Sequence, residues 1–534
     1  MSTQPVPESP SPSPTVGHGI ADEKESGHES NDLIVDWDGP NDPLNPKNWS
    51  RKKKWAATVV VSSFTLITPV SSSMIAPAST QVAEQFGITN DVIIALITSI
   101  FVLAYAVGPL FLGPLSEIFG RNKVIQIANL LFLVWNLVCG FAQNTTQLLV
   151  FRFLAGIGGS APLAIGGGVL GDIWDPEERG QALAIYSLAP LLGPVVGPLC
   201  GAFIAEHSTW RWVFWSTSIF TVGIQMSGLF YLRESYAPFI LEQKAKRIRR
   251  SLDAEKGPVR NVRSRYANEK LTWKNIIYIS VTRPFILFYY EPIVQLLGIY
   301  MAFIYGVFYQ HQHLIFFFLS VFLTSIPLTF QGAYGERVDI SGLNYLALGV
   351  GVTGASQINA RLMDWIYRRL KEKNGGMGEP EYRLPSMMPG TLFLPIGLLI
   401  TGWSVQAKVH WIVPDVGIAF VGAGIILTFQ SIQIYVVDAF ALYAASALAA
   451  VSCLRSLCGF AFPLFAQPMF TKLGYGKGDT ILAVVAFVIG CPAPVLFWKY
   501  GKQIRMRSKF SKQAIAPKGK SSQGDGERVD RDHV

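Results

Sequence analysis

The 534-residue sequence is poor in charge and poor in cysteine: Asp, Glu, Lys and Arg make up only 15% of it, and it holds five cysteines and seven histidines. So little charge, beside a hydrophobic half, excludes an ordinary soluble domain and a disordered chain. Cys139, Cys200, Cys453, Cys458 and Cys491 all fall in apolar segments without metal-like spacing. That excludes a disulfide framework and leaves them as small core residues. No His, Cys or acidic cluster stands at nucleophile or metal spacing, so no enzyme activity, metal or cofactor is expected. The formal net charge of +9 sits in loops beside the apolar runs. This pattern orients membrane helices and argues against a nucleic-acid partner.

What the chain has instead is apolar length. About 20 residues cross a bilayer core, and runs of that kind occupy 56–77, 92–112, 124–142, 182–205 and 213–232, then 392–405, 412–437, 444–465 and 481–500. The expected fold is therefore an all-α polytopic membrane protein with twelve transmembrane helices in two six-helix halves. Residues 1–50, rich in Pro, Ser, Gly and acids, read as a disordered cytoplasmic tail without a signal peptide. The first half covers 51–233, and a basic central cytoplasmic loop covers 234–283, with Lys244, Lys246, Arg247, Arg249, Arg250, Arg260, Arg263 and Arg265. The second half covers 284–501, and a second disordered tail covers 502–534.

Charge sets the orientation. Arg51 to Lys54 abut the first span, Arg121, Lys123 and Arg179 lie in later loops on the same side, and both termini are expected in the cytoplasm. The sequon Asn144-Thr145-Thr146 then lies outside, where glycosylation is possible, whereas Asn48-Trp49-Ser50 lies inside. One segment resists the count: 284–330 is too long for one helix, and its middle, 310–321, with His311 and His313, reads as an anomalous insertion in span seven. It is either a genuine insertion or the translation of an unspliced transcript.

The stretch "APLLGPVVGPLCGAF" (189–203) places Pro194 and Pro198 after Gly193 and Gly197, with Gly201 completing a row spaced at four. In a membrane, neighbouring helices satisfy the carbonyls that proline frees, and such a glycine stripe allows close helix contact. The expectation is a kinked helix packed where the two halves meet. "GPLSEIFGRNK" (113–123) offers Gly113 and Gly120 for the approach of two helix ends. Glu117 and Arg121 can pair there with Asp172, Glu178 and Arg179 of "GDIWDPEERG".

These residues carry a resemblance. "GPLSEIFGRNK" is similar to the signature between spans two and three of the major facilitator superfamily, although the family pattern usually has Asp at the position of Glu117. The 189–203 stretch resembles the span-five signature of its proton-coupled antiporters. The runs "VFRFLAGIGGSAPLAIGGGVLGDIW", "WRWVFW", "LRESYAP", "EPIVQLLGIYMAFIYG" and "VDAFALYAASALAAVSCLRSLCGFAFPLFA" are similar to fungal twelve-span drug and polyamine exporters. The resemblance implies a major facilitator fold, alternating access, a cytoplasmic gate around the 113–123 motif, and an export role for the span-five signature.

Intramembrane charge is costly and points to function. Glu291, about 12 Å into span seven at 1.5 Å per residue, is a candidate proton carrier or else a structural or gate residue. Arg152 matches the span-four position that the family links to proton movement, and a structural ion pair is the alternative. Asp415 and Asp438 are expected near headgroups or loop water. Tyr105, Tyr186, Tyr305 and Arg455, with Phe101, Phe303 and Phe429, are candidate cavity residues, or else packed core.

The resulting expectation is a proton-coupled exporter of small amphipathic or hydrophobic compounds, multi-pass and monomeric, in the plasma or vacuolar membrane. Its partners are a small-molecule substrate, protons and the bilayer. The alternatives are a polyamine exporter, a nutrient importer, a non-transporting sensor, and an inactive product of the span-seven insertion.

Overall fold

The computed structural model describes residues 32–175, 178–254, 261–266, 273–309, 330, 334–440, 444–461 and 475–506. After a short strand β1 (Asp32–Val35), the first half comprises α1 (Arg51–Met74), α2 (Ser79–Phe86), α3 (Asp91–Phe119), α4 (Arg121–Cys139), α5 (Thr145–Gly159), α6 (Ala161–Ile173), α7 (Arg179–His207) and α8 (Arg211–Tyr231). Between the halves lie α9 (Ala237–Ala254) and β2 (Asn261–Ser264). The second half comprises α10 (Trp273–Tyr290), α11 (Pro292–Tyr309), α12 (Val338–Leu343), α13 (Tyr345–Lys373), α14 (Met388–Gln406), α15 (Ile412–Ala439), α16 (Ala444–Ala461), α17 (Tyr475–Gly490) and α18 (Pro492–Met506).

Local chemistry sets these boundaries. The Asn90 side chain accepts from the Val92 N–H at 2.9 Å and opens α3, and Asn144 accepts from Gln147 N–H at 2.9 Å to open α5. Gly120, at φ +94°, turns the chain sharply between α3 and α4 in a conformation that a residue with a Cβ rarely adopts.

Among the described residues, nine helices are long and apolar enough to cross a membrane. The bent pair Thr282–Tyr290 and Pro292–Ala302 makes a tenth. The helix Tyr345–Lys373 and the shorter apolar stretch Ala447–Phe460 lie where the other two of the expected twelve would fall, but neither is both long and apolar enough to be counted as a span. Large apolar side chains such as Phe220, Phe230, Val350 and Val488 are exposed on the outer faces, as bilayer-spanning helices require.

Each half has its own core. The first is built around Val61, Phe64, Ile125, Leu170 and Trp174, and the second around Leu297, Tyr345, Ile418, Tyr435 and Phe440. A buried polar ladder adds interhelical hydrogen bonds of the kind that join helices in lipid. Ser71 of α1 donates to Asn136 Oδ1 of α4 at 2.8 Å, and Asn136 Nδ2 donates to Phe214 O, Thr217 Oγ1 and Ser218 Oγ of α8. Asn129 donates to Gln225 Oε1 at 2.6 Å. The halves meet where α3 lies against α16 and where α7 lies against α12 and α13.

Two expected boundaries need correction. The tail 1–50 is not disordered throughout, because residues 32–50 are folded. β1 pairs in parallel with β2, the Asp42 carboxylate accepts from Asp38 and Leu44 N–H at 2.9 and 2.8 Å, and Lys244 reaches Asp38 at 2.6 Å. Burial of Val35 and Val262 against Ala245 supplies the apolar contact that composition alone did not reveal. The central segment is likewise not a plain loop: it holds an amphipathic helix, α9, and helix α10 begins at Trp273, well before Arg283. The proposed insertion at 310–321 lies outside the described residues.

Candidate functional site

The helix ends on the side of Arg51, here called the basic end, carry a charged cluster in each half. In the first half, Arg121 opens α4 and its Nε donates to Asp172 Oδ2 at 2.5 Å, close to the end of α6. The Arg121 guanidinium also stacks 4.7 Å from the centre of the Tyr236 ring. Burial, with Glu117 nearby, pushes the Tyr236 hydroxyl up to about 12, so the ring stays a neutral phenol over the cation. Glu234 accepts from the backbone N–H of Arg121 at 2.9 Å and of Asn122 at 3.3 Å, capping the start of α4 where orphan donors and the helix dipole favour an anion. A Cβ on Gly120 would collide with Glu234 and approach Phe239, so glycine is needed there for space as well as for its backbone angle.

The motif is thus only partly assembled as expected. Arg121 and Asp172 come together, but Glu117 is exposed and forms no ion pair with any described side chain. It stays near the Tyr236 hydroxyl, while the carboxylate that caps the start of α4 is that of Glu234. Gly113 does not serve close approach, since a Cβ there would meet nothing within 4 Å. Arg179 opens α7, and its side chain lies outside the described residues.

The second half repeats this arrangement at the same end. Arg383, just before α14, donates to Asp438 at the end of α15 at 3.1 Å and to Asp364 of α13 at 2.9 Å, and it stacks 4.1 Å from the Tyr367 ring. Asp438 is exposed at the helix end, as expected, and is also paired with a cation. Beside it, Arg505 of α18 donates to both carboxylate oxygens of Glu381 at 2.8 and 3.0 Å, a pair only 5% and 3% exposed. Sequence reasoning missed Glu234, Glu381, Arg383 and Arg505. The available signal was that each is a charged residue within a few positions of a span end.

The glycine stripe packs as tightly as expected but against a different partner. A Cβ on Gly193 would overlap Pro69, one on Gly197 would overlap Ser73 and the Val70 carbonyl, and one on Gly201 would overlap the Met74 carbonyl. All of these belong to α1, so the stripe joins helices within the first half and not the two halves. Ser73 Oγ also lies 3.3 Å from the Gly193 carbonyl, linking the two backbones across a proline-rich helix that carries Pro190, Pro194 and Pro198. The other side of α7 meets the second half. Val195 blocks any side chain at Gly349, Ala202 does the same at Gly342, and Glu206 pairs with Arg337 at 3.4 Å. These contacts lie toward the end opposite the basic one.

Arg152 is 1% exposed and its Nη2 donates to the Ser72 carbonyl at 3.0 Å and reaches that of Thr98 at 3.5 Å. The faces of Phe101 and Phe214 lie 5.4 and 5.6 Å from the guanidinium. Nε and Nη1 have no hydrogen-bond partner among the described groups. A structural ion pair is therefore not what holds it: the charge is met by carbonyl dipoles and aromatic faces. Glu291 is 2% exposed and sits at the junction of α10 and α11, where the axis turns by 102°. Pro292 provides no N–H and restrains the residue before it, so one helix ends and the next begins there. The Glu291 carbonyl accepts from Val294 and Gln295 N–H, while its Oε2 is buried without a partner among the described groups.

The cavity candidates are dispersed. Tyr105 packs edge-on to Phe101, which is itself 1% exposed and belongs to the core. The Tyr186 hydroxyl donates to the Pro162 carbonyl at 3.0 Å. Arg455 sits 5.6 Å from the ring centre of Phe429, which is buried. The side chains of Phe303 and Tyr305 lie outside the described residues. Asn144 is exposed at the end opposite the basic one.

The signature of the Major Facilitator Superfamily matches residues 61–463, which includes both charged clusters except Arg505. The chain belongs to this superfamily. It is a multi-pass integral membrane protein. Among its superfamily relatives, the efflux pump vrtL of Penicillium aethiopicum is 46% identical over 478 residues, covering 90% of this chain and 91% of that protein. The MFS transporter cpaT of Aspergillus oryzae is 41% identical over 479 residues, covering 89% and 92%. Among solved superfamily structures, the xylose transporter XylE of E. coli superposes with a TM-score of 0.60 at 16% identity, covering 84% of this chain and 98% of that one. At that identity the likeness concerns the fold alone, and the fold agrees with the expected major facilitator architecture.

Proposed function

We propose that the protein exports small amphipathic compounds, of the secondary-metabolite or drug class, in exchange for protons by alternating access. The observation that carries the export reading is the 46% identity, across nine-tenths of the chain, to a protein named as an efflux pump. In this reading the basic end, with both termini, faces the cytoplasm, as the residues Arg51 to Lys54 favour. The described arrangement, with Val195, Ala202 and Glu206 of α7 against Gly349, Gly342 and Arg337, holds the halves together toward the outer end. Transport requires those contacts to break and contacts at the basic end to form.

The Arg121–Asp172 and Arg383–Asp438 pairs act as the inner gate in each half, and Glu291 and Arg152 carry the proton coupling. Glu291 suits that role because a buried carboxylate at a helix break can exchange a proton when the break changes shape. The protein works as a monomer in the plasma membrane and carries a glycan on Asn144, which a mobility shift lost in Asn144→Gln would reveal. The export reading is tested by growth of a sensitised fungal strain on a panel of toxic amphipathic compounds. The full chain and a version lacking 310–321 are compared with empty vector. Resistance to at least one compound class is expected; no resistance from either version, despite normal membrane abundance, contradicts export.

A further inference from the structure

Helix α9 carries two opposed faces. Leu241, Ala245, Ile248 and Leu252 lie on one side, and Ala245 is buried with Val35 of β1 and Val262 of β2, so this apolar face is already covered by protein. Roughly opposite, at helical spacing, stand Lys246, Arg247 and Arg250, all exposed and paired with no carboxylate among the described residues. Neighbouring cations are used differently. Lys244 is held by Asp38, Arg265 by Asp36, and Arg249 by the Val262 carbonyl and Glu242. The acids of the folded tail thus neutralise one side of the α9 unit and leave Lys246, Arg247 and Arg250 on the other without a carboxylate partner among the described residues. Like charges four residues apart, as in Lys246 and Arg250, weaken a helix unless an anion screens them.

The helix also starts at the membrane surface. Five residues separate its first residue, Ala237, from Tyr231, the last of α8. In its first turn, Phe239 lies beneath the Lys123 ammonium at 5.6 Å and against Gly120, at the ends of α3 and α4. We infer that the Lys246, Arg247 and Arg250 stripe docks on anionic phospholipid headgroups of the adjoining leaflet, holding the α9 unit flat beneath the first half. Because β1 and β2 already cover the apolar face, the attraction is electrostatic with little acyl-chain insertion, and it weakens steeply with salt.

The inference does not rest on transport, and binding can be measured without turnover. The purified full chain in mild detergent is titrated with fluorescent phosphatidylserine and, separately, with fluorescent phosphatidylcholine. The expected result is preferential phosphatidylserine binding that high salt abolishes. In K246Q/R247Q/R250Q it should fall by about tenfold or more, with phosphatidylcholine binding and elution profile unchanged. As a control for diffuse charge, R368Q/K371Q/K373Q removes three exposed cations from the end of α13. The inference is overturned if the α9 variant binds phosphatidylserine like the parent, or if the α13 variant loses as much.

Discussion

Arg505 and Glu381 face each other through two hydrogen bonds of 2.8 and 3.0 Å, tying the last turn of α18 to the segment that leads into α14, with both side chains almost wholly buried. Removing one partner leaves the other charge buried and alone, which costs about 3–5 kcal/mol. Glu381→Ala should therefore lower the midpoint of thermal unfolding in detergent sharply, whereas replacing both residues by apolar ones of similar volume should restore much of the loss. Glu381→Ala, Arg505→Ala and the variant carrying both form a double-mutant cycle that reads the coupling directly.

Close packing of α7 on α1 makes a second expectation. Gly201→Ala puts a methyl group into the Met74 carbonyl and should destabilise by about 1–3 kcal/mol. Gly167→Ala and Gly223→Ala, whose added Cβ would meet nothing within 4 Å, should be neutral in the same thermal assay.

Arg152 separates structure from function. Its charge is met by two carbonyls and two aromatic faces and by no carboxylate, so an apolar replacement removes a buried cation without stranding an anion. Arg152→Leu should fold at least as stably as the parent, yet its transport should fall by about tenfold or more if the residue serves coupling. A loss of thermal stability with normal transport per folded molecule would assign Arg152 a packing role instead.

The folded tail responds to acid. The Trp37 N–H, and to a lesser degree Arg265, hold the Asp36 carboxyl below the usual range. Burial alone would raise Asp42, but the N–H groups of Asp38 and Leu44 and the Lys244 charge outweigh it, so it too is lowered. Carboxylates depressed in the folded state contribute stability that is fully present above their unfolded value of about 3.9 and is lost as pH falls through the folded value. Amide-exchange protection of Leu33 to Val35, corrected for intrinsic rates, should be constant from about pH 5 to 8 and collapse below about pH 4.

Much of this architecture was legible in the sequence because apolar length and loop charge are direct physical requirements of a bilayer. The spans around 56–77 and 182–205 coincide with α1 and α7, and the Arg121–Asp172 pair was foreseen from the motif. Contacts across long separations were not legible. Nothing local to Asp32–Val35 announces Asn261–Ser264 as its partner, and the stripe at Gly193, Gly197 and Gly201 predicts a close neighbour without naming α1. Glu381 and Arg505, 124 residues apart, each looked like an ordinary charge at a span end until the fold brought them together.

The most direct test of the central claim, export in exchange for protons, uses proteoliposomes of the full chain loaded with a fluorescent amphipathic dye. A pH gradient is imposed or withheld. Dye release should accelerate with the gradient and collapse with a protonophore, and in Glu291→Gln it should lose its gradient dependence. Release that runs at the same rate with and without the gradient, in both the parent and the variant, would contradict proton exchange.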